Sequence, residues 1–286
     1  MTCNSKRFCC LPDYHIHTKL CNHAEGEMEE YVECALQAGL KEIGFSEHMP
    51  VMPEPHLCIS YEELPIYVSR VLELQEKYKG QISIKLGCEM DIVSGRLDEI
   101  NDIIRDFQFD YVIGSIHYLN KWPFDQAQYM HQFKNADIDD IYNRFFDAVV
   151  CAAETGLYDI AGHIDNIKRM GYRPEGDLTS YYERAAQVFK KYDLTVELNT
   201  SGFDELCGEQ YPSEEFLKIL RRNEIPVTAG SDSHNPKHVG RYYDRAFKML
   251  KTVGYESVVY FKNRERIIKS LESLNGCYES DGPEMR

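Results

Sequence analysis

Long apolar runs are missing from this chain of 286 residues. None approaches the roughly 18 consecutive residues that a bilayer-spanning helix needs, so no membrane partner is expected. The first residues, Met1-Thr-Cys-Asn-Ser-Lys-Arg-Phe8, have no apolar signal core, and the expected location is the cytoplasm. Positive charge is scarce as well. Lys and Arg number 32 against 47 Asp and Glu, which gives a formal net charge of −15 and a pI near 5.1. That excess repels polyanions at long range and speaks against nucleic acid as a partner. A small anionic substrate stays open, because bound divalent cations invert the local field. No two of the ten cysteines have the Cys-x-x-Cys spacing of a zinc knuckle, the adjacent pair Cys9-Cys10 included. Scattered through a long chain, they read as reduced thiols, with Cys34 and Cys151 expected as small core residues on apolar helix faces. Repeats, low-complexity tracts and linkers are lacking too. Residues 1–286 therefore read as one domain, with 275–286 as a frayed tail.

What the chain does have is a regular alternation of strand-like and helix-like segments, with 43% hydrophobic residues to build a core. Strands are expected at 11–17, 43–46, 82–89, 111–116, 160–162, 195–199 and 226–230. Helices are expected at 28–38, 61–78, 97–107, 141–154, 178–192, 214–222 and 241–253. Residues 258–261 fit one more short strand, or a closing helical region that includes 265–274. The β-α order implies a parallel sheet with helical crossovers. The longer irregular stretches, 49–60, 118–136 and 165–177, follow strand ends, where barrel enzymes build their sites.

Seven of the ten histidines stand at the downstream edges of apolar runs: His15, His17, His23, His48, His117, His163 and His234. The spacing of His15 and His17 puts both imidazoles on one face of a strand, and Asp13 shares that face, placed to orient one of them. His23 follows in a loop, and Glu47-His48 closes the second strand. Glu89 ends the run 82–88, where a buried carboxylate needs a cation or hydrogen-bond donors; Asp91 is the competing position. His117 and His163 end the next runs, and Ala229-Gly-Ser-Asp-Ser-His234 supplies Asp232 and His234. Each group alone has an ordinary explanation: an exposed pair, a solvated loop, a helix cap, a hydrogen-bonded core histidine or an Asx turn. Their recurrence after one strand-like run after another weakens those explanations. Polar clusters at seven strand ends favour a closed barrel that gathers ligands at one end, as in a multi-metal hydrolase.

Taken in order, His15-x-His17, His23, Glu47-His48, Glu89, His117, His163 and Asp232-x-His234 resemble the polymerase and histidinol phosphatase (PHP) superfamily. Asp13-Tyr-His-Ile-His-Thr18, Gly44-Phe-Ser-Glu-His48, Gly114-Ser-Ile-His117, Gly162-His-Ile-Asp165, Glu197-Leu-Asn-Thr-Ser201 and Trp122-Pro-Phe-Asp125 are similar to its stand-alone histidinol-phosphatases. The resemblance covers Asp13 to about Val239. It implies an α/β fold, a distorted (β/α)7 TIM-like barrel with a trinuclear metal site at the C-terminal ends of the strands. It further implies that His15, His17, Glu89 and Asp232 hold one divalent ion. Glu89, His117 and His163 would hold a second, and His23, His48 and His234 a third, with zinc, manganese and iron all open.

The implied activity is hydrolysis of L-histidinol phosphate to L-histidinol and phosphate in histidine biosynthesis. Two ions sharing Glu89 would lower the pKa of a bridging water, giving hydroxide that attacks phosphorus in line. Asp232 would accept or relay a proton. Candidate substrate contacts are Arg169 or Lys168 for the phosphate, in a loop expected to overhang the barrel mouth, and Asn199 at the pocket floor. Glu47, Asp125 and Asp165 are candidates for the ammonium and imidazole. His56, His131 and His238 read as ordinary surface or loop residues, His56 being the one best placed to touch substrate. A phosphotyrosine protein, a nucleotide or a sugar phosphate remains an alternative substrate for the same site. Assembly as a homo-oligomer is also left open.

Overall fold

The computed structural model describes residues 11–93, 95–134 and 136–274, so Cys9, Cys10 and the tail 275–286 lie outside the described residues. The chain runs α1 (Met28–Ala38), β1 (Glu42–His48), α2 (Leu64–Lys77), β2 (Ser83–Asp91), α3 (Leu97–Asp106) and β3 (Tyr111–Ser115). Two short strands, β4 (Tyr118–Leu119) and β5 (Trp122–Pro123), precede α4 (Ile138–Glu154). Then come β6 (Ile160–Ala161), α5 (Thr179–Lys191), β7 (Thr195–Asn199), α6 (Glu214–Arg222), β8 (Val227–Gly230), α7 (Tyr243–Val253), β9 (Ser257–Lys262) and β10 (Glu265–Ser270). Among the described residues, no helix is long and apolar enough to cross a membrane.

Local chemistry explains where the helices begin and end. Ser213 and Asp137 cap α6 and α4 by accepting from the backbone N–H of Phe216 and Asp140. Gly39 and Gly254 end α1 and α7 in the left-handed region, at φ 81° and 93°. Each helix lays an apolar stripe on the sheet. Ile141, Phe145 and Val149 of α4 are buried with Phe216, Leu217 and Leu220 of α6 in one continuous core.

Six strands form one parallel sheet in the order β1-β2-β3-β6-β7-β8. The register pairs His48 with Glu89 and Asp91 with Ser115, so the strand ends come level. The segment expected as a first strand, 11–17, is not a regular one. It makes isolated bridges, Asp13 to Ile43 and Ile16 to Ser233. Its hydrogen bonds alternate between the two outer strands of the sheet. Gly44 N–H and Ser46 N–H donate to the carbonyls of Asp13 (2.7 Å) and Ile16 (2.8 Å), while Tyr14 N–H and His17 N–H donate to those of Ala229 (3.1 Å) and Ser233 (2.9 Å). Divided between two neighbours, the segment forms a continuous ladder with neither.

The expectation of a closing helix over 265–274 is overturned. Residues 265–270 pair antiparallel with β9, joined by Asn263 and Arg264 at φ 50° and 65°, as a two-residue primed hairpin loop requires. The hairpin covers the end of the sheet where strands begin. Phe261 N–H donates to Tyr14 Oη (2.9 Å), Arg264 N–H donates to the Asp110 carbonyl (2.7 Å), and Arg264 Nε donates to Asp159 (2.9 Å). Tyr111 fills the interior between strands and donates to the Tyr14 carbonyl at 2.7 Å. Its ring occupies the space a Cβ would take at Gly44 or Gly87, so those strands approach because both positions lack a side chain. Cys151 is exposed and Cys34 only half-buried, contrary to the expected core placement: both ride on the outer shoulders of their helices.

Candidate metal centre

At the other end of the sheet, where strands finish, all nine expected ligands converge. His48 ends β1, Glu89 lies near the end of β2, His117 and His163 follow β3 and β6 by two residues, and Asp232 and His234 follow β8. His15 and His17 enter between β1 and β8. Glu89 is the hub. Its Oε2 lies 3.3 Å from His15 Nε2, 3.4 Å from His17 Nε2 and 2.9 Å from His48 Nδ1. Its Oε1 lies 3.0 Å from His163 Nε2 and 3.6 Å from His117 Nε2. Asp232 Oδ1 stands 3.8 Å, 3.5 Å and 3.5 Å from ring nitrogens of His15, His17 and His234. His234 Nε2 and His23 Nε2 face each other at 3.0 Å.

These distances form overlapping trios with metal-ligand spacing, among them His15–His17–Glu89, His48–Glu89–His117 and His23–His48–His234. The donor set suits borderline divalent cations: imidazole nitrogens with carboxylate oxygens. Buried His15 Nε2, His17 Nε2, His48 Nδ1 and Glu89 Oε2 have no hydrogen-bond partner. Unmet buried polar atoms cost about 1–3 kcal/mol each. Four converging on one space is the pattern that bound cations satisfy, and the residues fit such a group.

A supporting layer fixes the imidazoles. His15 Nδ1 bonds Glu197 Oε1 at 2.6 Å, His117 Nδ1 bonds Asp91 Oδ1 at 3.1 Å, and His17 Nδ1 bonds Glu47 Oε1 at 3.4 Å. His23 Nδ1 meets the Cys21 carbonyl at 2.8 Å. In each case the other ring nitrogen is left facing the centre. Glu197 also accepts from His163 N–H (2.9 Å) and Asn199 Nδ2 (3.1 Å). In the sequence Glu197 enters only as part of the segment Glu197-Leu-Asn-Thr-Ser201, with no role of its own; its own signal is a carboxylate in the middle of the apolar strand β7.

Electrostatics divides the imidazoles into two groups. Burial disfavours charge on His15, but Glu197, Glu89 and Asp232 outweigh it and hold its pKa well above the ordinary value. His17 rises to about 9 and His117 to about 10, in each case against burial; hydrogen bonds to Asp232 and Glu47 raise the first, and Asp91 and Glu89 the second. His23 falls to about 4 through burial and its imidazole neighbours His48 and His17. His48 and His234 are also lowered, by burial and then by His17. Glu89 and Asp232 resist the upward push of burial and sit well below the usual carboxylate range because imidazoles surround them.

The backbone is bent to this purpose. His163 and Asp232 adopt φ 23° and 52°, which bulky L-residues rarely do. A Cβ at Gly230 would collide with the Glu197 carboxylate and the His15 side chain, so only glycine lets β8 pass beneath them.

The ligands open into a cavity of about 570 Å³, whose walls include Arg169, Arg241, Asp125, Tyr211, His56 and His238. His238 is an exposed loop residue, as expected, and also lines the cavity rim, whereas His131 does not line it. The other expected substrate contacts are placed elsewhere. Lys168, expected at the mouth, is buried, with its ammonium held by Asp165 (2.7 Å), Glu209 (2.8 Å) and the Gln210 carbonyl (2.9 Å). Asp165 is committed to that pair and to Ser213 N–H (2.8 Å). Glu47 is fully buried and accepts from Thr18 N–H at 2.8 Å and His48 N–H at 2.9 Å. Asn199 is buried, accepting from Ser201 N–H and donating toward Glu197 and Asp232. Asp13 orients no imidazole: it ties Ser231 N–H (2.8 Å) and Gly240 N–H (2.9 Å) to the first segment. Arg241, which sequence reasoning missed, donates to the carbonyls of Ser231 (3.0 Å) and Asp232 (3.1 Å) and to Asp204 (2.9 Å). From the cavity wall it braces the bent loop that carries Asp232.

Comparison with known proteins points one way. The model of a family described as "PHP domain" matches residues 13–201, and one described as "PHP-associated" matches 214–245. A Deinococcus radiodurans protein bearing the name probable histidinol-phosphatase is 33% identical over 253 residues, which cover 87% of this chain and 96% of that one. The histidinol-phosphatase of Bacillus subtilis is 26% identical over 262 residues, covering 81% of this chain and 96% of the other. The crystal structure of the Lactococcus lactis histidinol phosphate phosphatase, complexed with zinc, L-histidinol and phosphate, superposes with a TM-score of 0.77 at 25% identity. It covers 90% of this chain and 98% of that chain.

Proposed function

This chain belongs to the PHP domain family, and from that premise we propose that it is a metal-dependent phosphomonoesterase hydrolysing L-histidinol phosphate to L-histidinol and phosphate. The observation that carries the reading is Glu89, buried and ringed by five imidazoles, with its own Oε2 and a ring nitrogen of His15, His17 and His48 left unpartnered. The substrate assignment rests on the relatives' names and on the ligands of the Lactococcus lactis protein. The site of action is the cytoplasm, in histidine biosynthesis, and nucleic acid is not a partner, in keeping with the net charge of −15.

In this reading the sheet is the larger part of a (β/α)7 barrel in which residues 13–17, bonded to both outer strands, stand as the seventh strand. Three divalent cations would be held by His15, His17, Glu89 and Asp232; by Glu89, His117 and His163; and by His23, His48 and His234. When bound, such cations activate water near neutral pH and neutralise phosphoryl oxygens. The chain supplies the rest. Glu89, fully buried, ties two ligand sets together and stays ionised. The Asp232 side chain is 17% exposed and so is able to exchange protons with the cavity. Its Oδ2, which accepts from Ser201 Oγ at 3.2 Å, takes the proton released as water attacks phosphorus and passes it to the histidinol oxygen as the phosphorus–oxygen bond to that alcohol breaks. Arg169, on the cavity wall beside Glu205 (2.7 Å), clamps the phosphate. Asp125, on the same wall, receives the substrate ammonium. Glu47 and Asn199 serve by orienting ligands rather than by touching substrate.

The test is a substrate panel: phosphate release from L-histidinol phosphate, phosphotyrosine, a nucleotide, a sugar phosphate and a phosphodiester, with zinc, manganese or iron supplied. Histidinol phosphate should show the highest kcat/KM. A clear preference for another monoester would discard the named substrate and keep the phosphatase; a preference for the diester would discard both.

A further inference from the structure

A second cavity, of about 730 Å³, opens at the end of the sheet opposite the histidines. Four lysines line it: Lys41 just before β1, Lys79 after α2, Lys85 on β2 and Lys262 at the end of β9. One carboxylate shares the space, Asp110, and both its oxygens are engaged. Its Oδ2 accepts from Leu86 N–H and its Oδ1 from Asn263 N–H, each at 3.1 Å. Lys79 has an exposed partner in Glu76, at 3.2 Å. Lys41, Lys85 and Lys262 enter no ion pair among the described residues.

Four ammonium groups against one occupied carboxylate is an unexpected balance in a chain of net charge −15. Like charges around one concavity repel each other, and a cleft with low-dielectric walls focuses their field on any anion that enters. Lysine is a point charge on a flexible stem, suited to phosphate oxygens in several geometries. Beside the lysines the wall turns apolar, because α2 contributes Val68 and Leu72, the latter 50% exposed. Charge and wall together describe a ligand with several negative charges and a flat apolar body. We propose that this cleft binds a small polyanion of nucleotide-like chemistry, at a site separate from the metal centre.

The test uses the metal-loaded protein and pyrene-1,3,6,8-tetrasulfonate, a fluorescent probe with a rigid apolar body and sulfonates that coordinate metals poorly. Wild type should bind one equivalent saturably, and magnesium–ATP should displace it. Lys41→Glu/Lys85→Glu should weaken binding by about tenfold or more while leaving phosphatase kcat/KM unchanged. Lys190→Glu/Lys191→Glu, on α5, alters net charge equally and should leave binding within about twofold. Equal weakening in both variants would mean that the probe senses only overall charge. Binding lost in Glu89→Gln but kept in Lys41→Glu/Lys85→Glu would mean that the probe sits in the wrong cavity. Failure of magnesium–ATP to displace it would remove the nucleotide-like assignment. If the charge reversal impairs folding, Lys41→Gln/Lys85→Gln replaces it, with the same outcomes expected at smaller amplitude.

Discussion

The two ends of the sheet use the same strands for opposite purposes. Lys41 immediately precedes β1, which ends on His48, and β2 carries Lys85 early and Glu89 late. At the exit end nearly every titratable group is held by another: Glu197 by His15, Asp91 by His117, Glu47 by His17. At the entry end a hairpin closes the interior, and the surrounding lysines stand largely unpaired. The difference is between a preorganised site and a responsive one. Fixed partners set ligand directions before any substrate arrives, whereas flexible lysine stems adjust to what they meet.

The contrast can be broken most forcefully at Glu89. Glu89→Gln should lower kcat by about a thousandfold or more, with fewer metal ions per chain by elemental analysis. An activity within tenfold of wild type would remove Glu89 from the hub. Next in size is Gly230→Ala, which sets a methyl group against Glu197 and His15. It should destabilise the fold by about 1–3 kcal/mol in thermal unfolding and lose metal; an unchanged Tm would show that β8 yields where it is expected to be rigid. Glu197→Gln keeps the side-chain shape but withdraws the charge behind His15, and should weaken metal binding by about 10–100-fold in chelator competition. Unaltered affinity would mean that His15 orients itself. Smallest of all, Arg241→Gln should reduce kcat by about tenfold with KM nearly unchanged, and Arg241→Lys should restore part of the loss. A change confined to KM would instead place Arg241 on the substrate.

Much of the exit end was legible in the sequence, because the candidate ligands there follow local patterns: a histidine or an acid at the end of an apolar run. The alternation of strand and helix was legible for the same reason, down to the bounds of α1, α6 and β7. What escaped depends on contacts between distant segments. Lys168 looks like a surface cation until Asp165 and Glu209 enclose it. Glu47 and Asn199 look like substrate ligands until burial commits them to neighbours. Glu197 is a lone acid in an apolar strand, and only the approach of His15 from 182 residues away reveals its role. Of the final hairpin, the short strand offered at 258–261 is β9, whereas the second arm, 265–270, was missed for a local reason. Arg-Ile-Ile-Lys fits helix or strand equally, and the loop that decides it, Asn263-Arg264, lacks the glycine that would announce a primed turn.

Residues 13–17 carry a consequence for synthesis. They hold two of the ligands, yet their partners Ala229, Ser231 and Ser233 lie some 218 residues downstream by the Asp13–Ser231 bond. A ribosome must therefore deliver β8 before His15 and His17 gain their final neighbours, and no shorter nascent chain can assemble the whole ligand ring. Contacts of such sequence separation form late and slowly. The proposed activity would thus be withheld from the growing polypeptide until β8 and the loop after it have emerged.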